Sequence, residues 1–123
     1  MQQGDQISAD EILLRRIYRH DKRYIDKKTG RPTSRAFVPR PKDNGKLSVD
    51  IKRLTSFYCA IDDQTKYLLF SILSKLVYDL GLSCIYKPLE GNLAHALIVG
   101  FDPEDESVPG ILARASKKEA EDF

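Results

Sequence analysis

Between Thr65 and Gly81 the chain carries its densest apolar pattern, and this stretch limits what the rest can build around. In TKYLLFSILSKLVYDLG, Leu69, Ile72, Leu73, Leu76, Val77 and Leu80 recur at helical spacing, with Ser71, Ser74, Lys75 and Asp79 largely elsewhere. Asp62 or Asp63 is placed to cap such a helix, and Gly81 to end it in the left-handed conformation. The broad stripe predicts a central helix packed on a sheet.

The sheet is read from period-two alternation. Leu47, Val49 and Ile51 alternate with Ser48 and Asp50, directly after the turn signal Asn44-Gly45. Leu82, Cys84 and Tyr86 alternate with Ser83, Ile85 and Lys87. In NLAHALIVG, Leu93, His95 and Leu97 share one face and Ala94, Ala96 and Ile98 the other, so this strand is expected to be central. Thr55 or Ser56 is placed to cap a short helical turn. Ser107, with Pro109 close behind, starts a last helix through Ile111, Leu112 and Ala115.

At the other end, Ser8 and Glu11 read as a capping box that opens a helix burying Ile12, Leu13, Ile17 and Leu14, with Arg15, Arg16 and Arg19 toward water, and ending near Asp21. The expectation is an α+β fold: one small domain over residues 8–120, a central helix on a short, mostly antiparallel sheet, and flanking N- and C-terminal helices. Residues 1–7 and 121–123 are expected to fray. A chain of 123 residues suits one domain. No apolar run approaches the roughly 18 residues that cross a bilayer, and the opening MQQGDQISADE has no signal-peptide pattern. A cytoplasmic protein with no membrane partner is expected. Cys59 and Cys84 sit in apolar surroundings outside any CxxC pair and read as buried reduced thiols.

Charge is where function first shows. The formal net charge is only +2, but Arg15 to Lys42 hold eleven Lys or Arg against two Asp, a local +9. From Phe101 onward seven acids face three bases, a local −4. The basic excess falls largely in residues 22–45, a long connection rich in Gly and Pro with few apolar anchors. Connections of that length are usually functional or disordered. The AFV piece (36–38) would either pair on a sheet edge, Pro39 and Pro41 excluding a central strand, or pin the loop through Phe37.

Within this loop, GRPTSR (30–35) combines a glycine with Arg31, Thr33, Ser34 and Arg35, followed by Arg40. Guanidiniums grip phosphate or carboxylate in bidentate fashion, and the hydroxyls add donors. The segment is neither a P-loop nor a dinucleotide fingerprint. Tyr18, Tyr24 and Phe37 are interleaved with the charge, as in surfaces that stack unpaired bases. No sequence pattern of a base-reading module is present. Those rings serve equally to fasten the loop to the core.

His95 is the candidate for chemistry, as an acid or base two residues past a turn and among small residues. Arg31 or Arg35 would hold an anion for it, and Asp50, Ser34 and Tyr86 are candidate partners. Neither His95 nor His20 lies in a metal-binding spacing, and no cofactor is indicated. Three functions fit the residues. A binding or accessory protein would use the basic loop on a nucleic-acid backbone or acidic partner. A small nuclease or transferase would use His95 on a phosphate-bearing substrate. A subunit would act through protein contacts alone.

The phrases LLRRI (13–17), GRPTSRAF (30–37), LSVD (47–50) and NLAHALIVG (92–100) resemble those of a loosely defined group of small, uncharacterised bacterial proteins. There a GRPSS-type phrase, an LSV phrase and an N-x-AHA-x-I-x-G phrase occur in this order. Thr33 stands where that group has serine, which keeps the hydroxyl. The resemblance brings no activity with it. It implies that the arginine phrase and the His95 phrase meet in space.

Overall fold

A computed structural model describes residues 1–121 and 123. Among these residues six strands run β1 (Ile12–Tyr18), β2 (Leu47–Ile51), β3 (Tyr67–Leu73), β4 (Ser83–Tyr86), β5 (His95–Val99) and β6 (Lys117–Lys118). They form one sheet in the order β4-β5-β2-β1-β3-β6, antiparallel at every pairing. Among the described residues three α-helices accompany it: α1 (Phe57–Ile61), α2 (Ser74–Asp79) and α3 (Ser107–Ala115). The α+β class and the mostly antiparallel sheet are as expected. So are strands over 47–51, 83–86 and 95–99, the last of which lies between two neighbours. The short helix is capped by Ser56, whose Oγ accepts from the Cys59 amide at 3.2 Å. Among the described residues no helix is long and apolar enough to cross a membrane.

Two expected helices are corrected. The segment 8–21 is not a helix; its core is the strand β1, and the expected central helix divides into β3 and the short α2. The cause is common to both. β1 and β3 pair along seven residues, and both strands bury side chains on their two faces. Directly opposed residues share a face, so Leu13, Ile17, Phe70 and Ile72 point into the main core. Leu14 and Leu69 point the other way, beneath Phe57, Ala60 and Ile61 of α1. A strand buried on both sides reads as a continuous apolar run, which local pattern does not separate from a buried helix.

The residues read as a capping box have another task. The Glu11 amide donates to the Ser8 carbonyl at 3.3 Å, closing a turn, and the Glu11 carboxylate accepts a fork from Arg53. Ser74, at the junction of β3 and α2, is fully buried against this turn. Its Oγ accepts from the Glu11 amide at 3.1 Å and lies 2.7 Å from the Ser8 carbonyl, to which it donates. Ser74→Ala removes both bonds of a buried hydroxyl and leaves the Glu11 amide only its longer contact with the Ser8 carbonyl, so a loss of about 1–3 kcal/mol is expected. Urea unfolding should show it as a lower midpoint at unchanged slope.

Residues 1–7 do not all fray. The Gly4 and Ile7 amides donate to the Tyr86 and Cys84 carbonyls at 2.9 Å each, and Ile7 is buried. At the other end, the Tyr58 hydroxyl donates to Glu121 at 2.8 Å, and Phe123 meets Phe57 edge-on at 6.0 Å. The expectation for Asp122 lies outside the described residues.

The long connection is ordered by anchors. Ile25 pairs with Pro32 as an isolated bridge, and Gly30 takes the φ of +71° that closes the turn between them. Residues Ser34–Phe37 form a 3₁₀ turn whose Ala36 and Phe37 are buried beside Leu112 and Ala113 of α3. Phe37 thus pins the loop. Arg35 precedes this anchor in the chain and Arg40 follows it.

Candidate functional site

β1 and β2 are neighbours in the sheet, yet among the described residues they pair at two positions only, Leu13–Ile51 and Leu14–Asp50. Beyond these the ladder stops and the Arg15 guanidinium spans the split. Its Nη1 donates to the Ser48 carbonyl at 3.0 Å and its Nε to the Ala36 carbonyl at 3.1 Å. Carbonyls that would otherwise be unpaired are thereby satisfied. Burial, with a smaller contribution from Arg40, lowers the Arg15 pKa to about 10, which still leaves it charged at neutral pH.

A cleft of about 610 Å³ opens at this split. Arg15 and Arg16 come from β1, Ser48 and Asp50 from β2, and Asn92 and His95 from β5 and the turn before it. Residues 35–41 of the basic connection contribute Arg35, Pro39 and Arg40. Tyr18, Tyr24 and Tyr67 line it too, with ring centroids 5.0 Å apart for Tyr18–Tyr67 and 6.3 Å for Tyr18–Tyr24. The Arg16 guanidinium lies 4.8 Å from the Tyr67 ring centroid. A hydrogen bond with Tyr18 and burial hold the Tyr67 hydroxyl pKa above the ordinary tyrosine value.

The cleft is cationic. Among the described residues four arginines and a histidine face one lining carboxylate, Asp50, whose Oδ1 accepts from Asn92 Nδ2 at 2.9 Å. Arg40 also meets Asp43 at 3.2 Å, an exposed pair open to exchange with a competing anion. Asp50 and His95 are directly opposed on β2 and β5. His95 Nδ1 lies 2.7 Å from the Lys87 carbonyl and Nε2 lies 3.2 Å from Ser48 Oγ.

The residues singled out from the sequence divide. His95, half-buried, comes together with Arg35 and Arg40 in the cleft, and Asp50 joins them. Arg31 does not. Its Nη2 donates to the carbonyls of Ala113, Arg114 and Ser116 at 3.1, 3.2 and 2.8 Å, closing the C-terminal end of α3. Thr33 Oγ1 donates to the Arg23 carbonyl, holding the loop's own bend. Ser34 is exposed at the head of the 3₁₀ turn and is not among the lining residues. Tyr86 is buried on the core face and donates to the Leu93 carbonyl at 2.6 Å. Ser48, Asn92, Arg15, Arg16 and Tyr67 were not anticipated. The one available signal was alternation, since Ser48 and Asp50 on β2 and His95 on β5 all oppose the core face.

The thiols provide a probe of this surface. Burial pushes the Cys84 pKa up to about 12, whereas Cys59, expected to be buried, is exposed and lines the cleft. Thiolates rather than thiols react. Ellman's reagent should therefore titrate one thiol in the native protein and two after denaturation; two native equivalents would contradict the burial of Cys84.

The chain matches no protein-family model, no curated protein and no solved structure.

Proposed function

We propose that the protein binds a single-stranded nucleic acid along the split-sheet cleft, with phosphates on the arginines and unpaired bases against the tyrosines. The carrying observation is the convergence of Arg15, Arg16, Arg35 and Arg40 with Tyr18, Tyr24 and Tyr67 around one volume of about 610 Å³. Guanidiniums neutralise phosphates, and aromatic faces stack bases at about 1–3 kcal/mol each, without sequence preference. Tyr18 is 46% exposed, so its ring is open to a ligand. An acidic protein would engage the charge but would leave the rings without stacking partners. All four phrases of the resembled group, 13–17, 30–37, 47–50 and 92–100, supply lining residues, which supports a shared use of the cleft.

Fluorescence anisotropy with labelled single- and double-stranded DNA and RNA, repeated over a salt series, tests this. Saturable binding that prefers single strands and weakens with salt is expected. Equal affinity for duplex, or binding of polyglutamate with none of oligonucleotide at low salt, would refute the reading, the latter in favour of an acidic partner.

A further inference from the structure

The hydrogen bonds of His95 decide its tautomer. The Lys87 carbonyl only accepts, so Nδ1, 2.7 Å away, carries the proton of the neutral ring. Nε2 then presents its lone pair, and the group it meets at 3.2 Å is Ser48 Oγ. Ser48 is exposed, so the hydroxyl that donates to His95 is also open to the cleft. This is the relation between a nucleophile, its base, and a third group that orients the base. Asp50 stands directly opposite His95 in the β2–β5 pairing, its carboxylate held by Asn92.

From this geometry we propose that Ser48 and His95 form a nucleophile–base pair acting on phosphodiesters held by the cleft arginines, with Ser48 as the catalytic nucleophile. The substrate class rests on the nucleic-acid reading above; the pair itself rests on the two His95 contacts. Ser48 Oγ attacks phosphorus as its proton passes to Nε2. The Oγ–P bond forms, the bond from phosphorus to the leaving oxygen breaks, and the Nε2 proton goes to that oxygen. Water then attacks the phosphoserine diester, giving its proton to Nε2, and Oγ leaves and takes that proton back. No oxidant, reductant or further reactant is needed. Arg35 and Arg40 would offset the charge that builds on the phosphoryl oxygens.

The test uses bis(4-nitrophenyl) phosphate and the whole chain. The expected result is release of 4-nitrophenolate and, on acid quenching, an adduct of one 4-nitrophenyl phosphoryl group that peptide mass spectrometry places on Ser48. Ser48→Ala should abolish both, and His95→Gln should slow release about 100-fold or more, the usual range for a positioned base. Cys59 reactivity with and without a saturating oligonucleotide reads occupancy of the cleft separately. Protection of Cys59 with no release, release unchanged in Ser48→Ala, or an adduct on another residue overturns the pair and leaves binding intact. Neither protection nor release overturns both readings.

Discussion

Arg35→Ala combined with Arg40→Ala is expected to weaken single-strand binding about ten- to hundred-fold at low salt. Charge-assisted hydrogen bonds reach about 1.5–3 kcal/mol, but both guanidiniums are exposed, and exposed ion pairs are worth about 0–1 kcal/mol. A joint loss between these limits, about 1.4–2.8 kcal/mol, corresponds to that range. The salt dependence adds a more specific mark. Each phosphate neutralised on a single strand contributes about 0.7 to the slope of log K against log salt, so the double variant should lose about 1.4. Arg31→Ala is the control within the same phrase. Its guanidinium closes the end of α3 and lies 5.9 Å from the Phe70 ring centroid, so its removal should lower stability and leave the slope unchanged. A slope that falls with Arg31→Ala and not with the double variant would move the interface away from the cleft.

Phe37→Ala should have the largest effect on folding. The ring is fully buried in the main core, which also holds Ile25, and its turn packs on α3, joining the basic connection to the core. Removing a buried Phe costs about 3–5 kcal/mol, set against a total of about 5–15 kcal/mol for a domain. For a chain of this size the melting temperature should fall by about 10–20 °C. Any surviving folded fraction should bind weakly, because residues 34–37 fix where Arg35 stands. Calorimetry would expose an error here: a shift of only a few degrees would mean that the connection is held elsewhere.

How far the sequence disclosed this molecule depended on how many faces of each element are covered. β2 and β4 each bury one face, so Leu47-Val49-Ile51 and Cys84-Tyr86 alternate legibly with half-buried or exposed neighbours; β5 buries Ala96 and Ile98 only, although Leu97 and Val99 make both its faces apolar in the sequence. β1 and β3 bury both, and there the alternation of Leu13, Arg15 and Ile17 is masked by Leu14 beside it. Chemistry followed the same rule. His95, Arg35 and Arg40 are distinctive residues and were found one at a time. Ser48 is an ordinary strand serine until β2 lies beside β5 in the register that places its hydroxyl at Nε2. Arg31 and Arg35 look alike in the sequence; only tertiary packing assigns one to a helix end and the other to the cleft.

The closure of the sheet's borders bears on how the protein behaves when concentrated. On one border residues 4–7 occupy backbone groups of β4; on the other, β6 is two lysines long and fills part of the β3 edge. Brief, charged or occupied edges are the means by which β proteins avoid strand-by-strand growth into fibres. The place where this ladder is interrupted is therefore interior, between β1 and β2, where the Arg15 side chain rather than another strand meets the Ser48 carbonyl. A concentrated solution of this chain would thus be guarded against amyloid-like templating at its rims, while at its central break a side chain takes the place of the missing strand partner.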